Sequence, residues 1–261
     1  MDIALQNELA ALLATLRSES RQQSGLEARL QPADKAEGYR VAQKVADELG
    51  WAVAGWKIAA TNAEMQKALR SETPIYGRVF APLVKPSPYR ISHASLCSPI
   101  PEVEFQARLG RDLPPRDGRY TVEEVGAAVQ SLHPGLELAE CRFRHDKNFP
   151  PLAAILADGA GSGTLVYGPA IENWRDIDIA GQEVRLYCNG ALRRQGTAAA
   201  ALEHPLVPLT WLANELSQNG IGMKSGQTIS TGTMTGMVAA KPGETYRADF
   251  GPLGEVSATY E

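Results

Sequence analysis

Two stretches near the start of the chain have the hydrophobic spacing of amphipathic helices. Within residues 3–17, leucines recur at intervals of three and four positions, which places them on one helix face. Residues 36–49 repeat this spacing, and Gly50 follows as a stop signal. The segment between them, residues 24–34, predicts a loop. We therefore expect a separate N-terminal helical region over residues 1–50.

The remainder, residues 51–261, has patterns that are typical of strands and turns. Residues 102–109 alternate strictly between polar and apolar side chains, which is the period of a strand with one apolar face. An Asn-Gly pair at positions 189–190 separates two strand-like stretches and predicts a two-residue hairpin. Further strands are predicted within residues 135–139, 164–167 and 228–261.

Two helices are expected within this β-rich part. The pattern Thr-x-x-Glu over residues 121–124 is a capping box that opens a short helix. Residues 206–217 predict another, with Pro208 near its first turn and Gly220 after its end. The prediction is an α+β fold in which residues 51–261 form one β-rich catalytic domain, functionally a single unit with the N-terminal helices.

The composition is that of an ordinary globular protein. Of the 261 residues, 44% are hydrophobic and 21% are charged, which is enough apolar side chain to offset the entropy of ordering. The 24 glycines and 17 prolines agree with many turns. The net charge of −4 leaves no basic surplus for a phosphate backbone, so we predict no nucleic-acid partner.

The spacing of the cysteines and the length of the apolar segments indicate the cellular compartment. The three cysteines are widely spaced, an odd and sparse count that does not resemble a disulfide framework and favours a reducing environment. The chain opens without a basic segment and a long apolar stretch, and no run reaches the roughly 18 apolar residues that cross a bilayer. We expect a cytoplasmic protein without a membrane partner.

An acidic pair is the most informative chemical feature. Glu102 and Glu104 lie two positions apart on a predicted strand, so their carboxylates share a face roughly 6.5–7 Å apart. Mg²⁺ binds carboxylate oxygens and retains coordinated water molecules that a substrate can replace. Glu137, between two leucines, is a candidate third ligand because a buried charge has to be paired or metal-bound. The alternative is that both strands present these glutamates to solvent.

Lys57 interrupts a mostly apolar run over residues 51–60. If it is desolvated, its pKa falls towards the range that is useful in acid–base catalysis. The alternative is a lysine on an edge strand that discourages aggregation.

Two further segments carry polar groups that suit an anionic ligand. Residues 158–163 read Asp-Gly-Ala-Gly-Ser-Gly but match neither a dinucleotide-binding fingerprint nor a P-loop. Asp158 and Ser162 of this segment are candidate site residues, and a plain turn is the alternative. Near the C-terminus, Thr233 ends a Thr-Gly-Thr sequence whose hydroxyls suit a carboxylate. The four histidines have no zinc-binding spacing, and no Gly-x-Ser-x-Gly elbow occurs.

Taken together, these segments resemble the 2-keto-4-pentenoate hydratase and 4-oxalocrotonate decarboxylase family of the fumarylacetoacetate hydrolase superfamily. The resemblance runs in family order over almost the whole chain. The matching stretches are 55–58, 74–77, 102–105, 136–138, 157–158, 196–205, 211–214, 230–233 and 241–243.

The resemblance implies a mixed β-sandwich roll with an N-terminal helical region, and a homo-oligomer. It implies that Glu102, Glu104 and Glu137 bind Mg²⁺ or Mn²⁺. It implies that Lys57 and Asp158 are catalytic. It also implies that Thr233 lies near the substrate carboxylate.

The activity that the resemblance implies is hydration of a 2-hydroxy-2,4-dienoate to a 4-hydroxy-2-oxoalkanoate, in aromatic catabolism of the meta-cleavage type. The small 2-oxo or 2-hydroxydienoate acid is the expected partner. One alternative is decarboxylation of a 2-oxo-3-enedioate. A second is a non-catalytic protein of this fold that binds a 2-oxo acid, suggested by Gly159 and Gly161, where the family usually has polar residues. A C–C hydrolase is disfavoured because residues 61–73 contain no histidine for a water-activating pair.

Overall fold

The computed structural model describes residues 1–261, apart from the side chain of Ala68. The described helices are α1 (Ile3–Ser18), α2 (Lys35–Leu49), α3 (Ala63–Leu69), α4 (Val122–Ala128), α5 (Leu152–Ala157) and α6 (Leu206–Gln218). The first six strands are β1 (Val53–Ala59), β2 (Ile75–Phe80), β3 (Val84–Pro86), β4 (Tyr89–Ile91), β5 (Ile100–Leu109) and β6 (Val129–Ala139). The others are β7 (Thr164–Tyr167), β8 (Glu183–Cys188), β9 (Ala191–Thr197), β10 (Thr228–Ser230), β11 (Thr245–Asp249) and β12 (Glu255–Tyr260).

The strands form two sheets. A seven-stranded sheet has the order β2-β1-β10-β5-β6-β7-β3, and a five-stranded sheet has the order β4-β12-β11-β8-β9. The sheets pack through an apolar core in which the rings of Phe105 and Phe250 meet edge to face at 5.2 Å. The predicted combination of N-terminal helices with a β-rich remainder is confirmed.

The N-terminal helices begin and end where their capping residues predict. The side chains of Asp2 and Asp34 accept hydrogen bonds from the first turns of α1 and α2. Gly50, at a φ of 63°, ends α2 in the left-handed conformation that glycine adopts without strain. Both predicted N-terminal helices are therefore present.

Helix α2 packs closely on α5, and this contact connects the N-terminal region to the candidate site. A side chain on Gly38 would place its Cβ 2.4 Å from the backbone oxygen of Ala153, so only glycine permits this approach. Leu13, Val41 and Ala154 belong to the same small hydrophobic cluster. Helix α5 leads directly into Asp158 and the loop after it.

The predicted local motifs of the β-rich part are also present. Asn189 and Gly190 both have positive φ angles, 49° and 82°, between β8 and β9. Thr121 and Glu124 form the reciprocal hydrogen bonds of a capping box at the start of α4. Over the described residues, none of the helices is long and apolar enough to span a membrane.

Candidate active site

Three glutamates converge on one face of the larger sheet. β5 and β6 are antiparallel neighbours, and their register places Glu102 directly opposite Glu137. Glu104 points to the same face as Glu102 because the two are separated by one residue. One carboxylate oxygen from each residue lies within 4.8 Å of the others. All three side chains are buried, so the alternative of a solvated face is wrong.

The carboxylates differ in how they are held. Glu104 accepts hydrogen bonds from the Ser230 hydroxyl and, at 2.8 Å, from the backbone N–H of Gly232. Among the described residues, neither carboxylate oxygen of Glu137 has a hydrogen-bond partner. A buried carboxylate without a hydrogen bond is costly unless cations balance it, and here one lysine, Lys57, faces three carboxylates. The set of three therefore fits a hard divalent cation, whose preferred ligands are carboxylate oxygens.

The pKa values of all three carboxyl groups are raised in the metal-free protein. Burial raises the pKa of Glu102 to about 7, against the opposing effect of Lys57. The pKa of Glu104 is raised well above its ordinary value, by burial and by the charges of Glu137 and Glu102. Burial also raises the pKa of Glu137, although the ammonium of Lys57 opposes this. A bound divalent cation would offset the burial and repulsion that raise these values.

Lys57 lies beside this cluster on an interior strand. β1 pairs with β2 on one side and with β10 on the other, so the alternative of an edge-strand lysine is wrong. Its Nζ is 3.5 Å from Oε1 of Glu137 and donates a hydrogen bond to the backbone oxygen of Ala160 at 3.1 Å. Burial alone lowers the pKa of Lys57, but the three carboxylates outweigh it and the pKa is raised. In the metal-free protein the direction is therefore opposite to the fall in pKa that the sequence suggested for a desolvated lysine.

The loop after α5 has a different arrangement from the one expected. The carboxylate of Asp158 accepts hydrogen bonds from the Arg142 backbone N–H at 2.9 Å and from its guanidinium at 2.8 Å. Arg17 of α1 donates to the backbone oxygens of Asp158 and Ser162, at 2.7 and 3.1 Å. Both carboxylate oxygens of Asp158 are thus engaged by a buried arginine that the sequence analysis did not single out.

The two candidate hydroxyl groups are also engaged by the protein. Ser162 is fully buried, and its hydroxyl donates to the backbone oxygen of Arg78 at 2.6 Å. The hydroxyl of Thr233 donates to the backbone oxygen of Gly236 at 3.3 Å. The structure therefore brings the lysine and the three glutamates together, but it gives Asp158, Ser162 and Thr233 protein partners instead of open positions.

A cavity of about 340 Å³ opens onto the cluster. Lys57 and Glu102 line it, while Glu104, Glu137 and Asp158 are not among its described lining residues. Backbone from the loop after α5 also reaches it, at Ala160 and Gly161. A larger depression of about 650 Å³ lies beside Leu12, Gln23 and Gln31, but its described lining contains none of the predicted site residues.

Sequence reasoning missed most of the cavity wall. The largest set of missed residues consists of apolar side chains, namely Met65, Leu69, Ile75, Ile100, Phe149, Ile155 and Met237. His145, whose spacing gave no metal signal, stacks on Phe149 at 4.4 Å and also lines the cavity. These residues come from distant parts of the chain, so no local pattern could have grouped them.

Comparison with known proteins identifies the family of this chain. Residues 90–260 match the family model described as the fumarylacetoacetate (FAA) hydrolase C-terminal domain. A 2-keto-4-pentenoate hydratase from Burkholderia vietnamiensis (strain G4) is 32% identical over 212 residues, covering 81% of this chain and 79% of that protein. A 4-oxalocrotonate decarboxylase from Pseudomonas putida is 29% identical over 214 residues, covering 82% and 80%.

A solved structure shares the whole fold. The structure of 4-oxalocrotonate decarboxylase from Pseudomonas putida G7, complexed with magnesium and adipate, superposes with a TM-score of 0.91. It covers 100% of this chain and 99% of its own, at 23% identity, which establishes the shared fold. The chain therefore belongs to the fumarylacetoacetate hydrolase family, among its 2-keto-4-pentenoate hydratases and 4-oxalocrotonate decarboxylases, and is an enzyme of the lyase type.

Proposed function

We propose that this enzyme is a divalent-metal-dependent hydratase that converts a 2-hydroxy-2,4-dienoate to a 4-hydroxy-2-oxoalkanoate in aromatic catabolism of the meta-cleavage type. The observation that carries the proposal is the convergence of three buried carboxylates beside the ammonium of Lys57, at a cavity large enough for a small acid. Hydratases are among the relatives that exceed 30% identity, which supports this reaction.

In the proposal, Glu102, Glu104 and Glu137 hold Mg²⁺ or Mn²⁺. The cation supplies Lewis-acid polarisation of the substrate's carboxylate and C2 oxygen. The Ser230 hydroxyl and the Gly232 N–H fix the Glu104 carboxylate, so one ligand is oriented before the cation binds.

Lys57 moves the protons in this scheme. Its ammonium gives a proton to C5 of the dienol, and the C2 hydroxyl returns one, which leaves a 2-oxo-3-enoate. Water then adds across the remaining double bond, with its oxygen at C4 and a hydrogen at C3. Lys57 begins the reaction as the acid in this scheme, because its Nζ lies beside the carboxylate cluster, 3.5 Å from Oε1 of Glu137, and borders the cavity.

We assign Asp158 a positioning role in place of proton transfer. Its carboxylate is occupied by Arg142, and its backbone oxygen is held by Arg17. These contacts fix the loop whose Ala160 oxygen accepts the hydrogen bond from Lys57. Thr233 and Ser162 contribute to substrate binding in this proposal through the shape of their loops.

Decarboxylation of a 2-oxo-3-enedioate is the second candidate, favoured by the 29% identity to a 4-oxalocrotonate decarboxylase. The two reactions are separated by incubating the Mg²⁺-loaded enzyme with 2-hydroxypenta-2,4-dienoate and, separately, with 2-oxohex-3-enedioate. A hydratase removes the ultraviolet absorbance of the dienoate without releasing CO₂. Release of CO₂ from the enedioate, with the dienoate unchanged, would establish the decarboxylase instead.

The Glu104→Gln substitution tests the metal ligands directly. The amide removes one anionic oxygen from the set, so we expect Mg²⁺ affinity to fall at least about a hundredfold and turnover to fall with it. Isothermal titration measures the affinity, and ultraviolet absorbance measures the turnover. Glu183→Gln, at an exposed position of β8, is the matched control. Full turnover by the Glu104→Gln variant without added metal would refute the proposal.

A further inference from the structure

The proposed reaction adds water at C4 of the substrate, and this water has to lose a proton to a base. The proposal already uses Lys57 as the proton donor and Glu102 as a metal ligand, and both line the cavity. C4 is two bonds beyond C2, whose oxygen lies at the three glutamates in the proposal, so water attacks inside the cavity. The base is therefore a further group on the cavity wall.

Three other polar groups of this wall are unsuited to the task. The Ser98 hydroxyl donates a hydrogen bond to the side chain of Gln22 at 2.9 Å. The Glu140 carboxylate accepts a hydrogen bond from the Cys97 backbone N–H at 2.7 Å, which directs it towards that segment. Burial raises the pKa of the Cys141 thiol, so it stays protonated near neutral pH.

His145 is the remaining group of the described lining that can take a proton. It is exposed and lies in the segment between β6 and α5. Its ring stacks on that of Phe149, which lines the same cavity, with centroids 4.4 Å apart and 20° between the planes. Stacking engages the faces of an imidazole and leaves the two nitrogens at its edge available for hydrogen bonds.

The other three histidines are held by the protein instead. Ring nitrogens of His93, His133 and His204 form hydrogen bonds of 3.0–3.1 Å with backbone groups. None of the three belongs to the described lining of the cavity. His145 therefore differs from them both in its contacts and in its location.

The exposure of His145 also suits a base that works in every turnover. Such a base has to release the proton that it has taken. An imidazolium at an exposed position can lose its proton to bulk water. Imidazole changes its charge near neutral pH, which is why it is the side chain most often used for this task.

Resting on the proposed function, we infer that His145 is the general base of the hydration step. A ring nitrogen takes a proton from water as the water oxygen forms a bond to C4 of the 2-oxo-3-enoate. The π electrons of the C3–C4 double bond move towards the C2 carbonyl, and the resulting enolate takes a proton at C3 from the Lys57 ammonium. The imidazolium then releases its proton to solvent and Lys57 regains one, so the step consumes one water and restores both side chains.

The His145→Ala variant tests this role with two substrates. 2-Hydroxypenta-2,4-dienoate requires both the proton shift and hydration, whereas 2-oxopent-3-enoate requires hydration alone. We expect kcat for formation of 4-hydroxy-2-oxopentanoate to fall at least about a hundredfold from either substrate. The variant should still convert the dienoate to 2-oxopent-3-enoate within about threefold of the wild-type rate, and proton NMR should show this compound accumulating.

Lys147→Ala is the matched control. Lys147 is exposed in the same segment and lies outside the described lining of the cavity. This variant should leave the proton shift and hydration unchanged. Isothermal titration should give the same Mg²⁺ affinity for the wild type and both variants, because the carboxylates are intact, and thermal unfolding checks that both variants fold.

Added imidazole distinguishes a catalytic role from a structural one. Removal of the side chain in His145→Ala leaves an exposed position that a free imidazole molecule can reach. We expect imidazole in the buffer to raise the hydration rate of this variant at least about tenfold. The wild type and Lys147→Ala should not respond.

The outcomes separate this inference from the proposed function. Hydration by His145→Ala within about threefold of the wild type would overturn the inference while the proposed function stands. An equal loss of the proton shift and of hydration, with no response to imidazole, would also overturn it, because the residue would then act through the fold. If the wild type hydrated neither substrate, the proposed function would be refuted and the inference with it.

Discussion

Lys57 and Glu137 illustrate how the chemistry of single residues depends on their neighbours. An isolated buried lysine has a lowered pKa, yet Lys57 has a raised one because three carboxylates face it. Glu137 is fully buried and, within the described residues, has no hydrogen bond to either oxygen. Each residue alone would be a costly buried charge, and together they form a site that still lacks positive charge.

The Lys57→Met variant should separate proton transfer from metal binding. Methionine is an unbranched side chain one atom shorter than lysine and cannot donate a proton, so we expect kcat to fall by about 10²–10⁴. The three carboxylates remain, so the enzyme should still bind Mg²⁺ by isothermal titration. A Lys57→Met enzyme with unchanged kcat would contradict the proton-transfer role.

The backbone conformation explains why glycine occupies positions 159 and 161. Their φ angles are 92° and 78°, which most side chains adopt only with strain. Space is not the constraint at Gly161, because a Cβ there would lie 3.8 Å from Nζ of Lys57, an ordinary van der Waals contact. Glycine at these positions therefore follows from the shape of the loop and does not indicate a protein that has lost catalysis.

At the scale of elements, the N-terminal helices support the loop that faces the active site. Arg17 of α1 and Arg142 both donate to the backbone oxygens of Asp158 and Ser162. The packing of α2 on α5 fixes the start of the same loop. A helical region that carries no proposed metal ligand is thus connected to Ala160, the hydrogen-bond acceptor of Lys57.

Replacing Arg17 with methionine tests this connection. The variant leaves two buried carbonyl oxygens with fewer donors, so the free energy of unfolding should fall by about 3 kcal/mol. We also expect kcat to fall while Mg²⁺ affinity stays within about twofold, because the carboxylates are on other elements. Chemical denaturation and isothermal titration measure the two effects. Arg185→Met, on the exposed side of β8, should change neither.

The capping box of α4 predicts a pH dependence of stability. The hydrogen bond from Arg116, together with the Thr121 backbone N–H, lowers the pKa of Glu124 to about 2. Since the folded-state pKa lies below the unfolded value, the stabilisation is present above the ordinary glutamate pKa near 4.5 and is lost as the pH falls towards 2. The wild type should therefore exceed Glu124→Gln in thermal stability at pH 7, and the difference should shrink by pH 3. A constant difference would contradict this assignment.

At the scale of the whole molecule, the proposed metal site joins strands that are far apart in the chain. Its ligands come from β5 and β6, its lysine from β1, and the groups that orient Glu104 from β10 and the turn after it. A cation that binds only the folded state stabilises all of these strands together.

Mg²⁺ should therefore raise the unfolding temperature of the whole chain. At a free concentration of about 100 times its Kd, the expected gain is about 2.7 kcal/mol, or roughly 5–11 °C for a chain of this size. Differential scanning calorimetry with Mg²⁺ and with a chelator measures the shift. The Glu104→Gln variant should show little of it, and an equal shift in both proteins would point to binding elsewhere.

Sequence patterns predicted the elements whose cause is local. The leucine spacing of α1, the capping box of α4 and the turn between β8 and β9 depend on residues within a few positions of one another. The Glu-x-Glu pair likewise predicted two carboxylates on one face. Helix α5 was missed because its six residues are all apolar and have no amphipathic period. The first half of β6 was missed because Pro134, which lacks an N–H, interrupts the strand pattern.

The sequence by itself determined which residue types and local elements the protein has, because periodicity, capping and turn chemistry act over short distances. Only the tertiary structure decided that Glu137 faces Glu102, that Asp158 pairs with Arg142, and that apolar side chains line the cavity. Those contacts depend on strand order and on packing between distant segments. Charged side chains that are far apart in the sequence interact strongly once the fold brings them together, because burial removes the water that screens them.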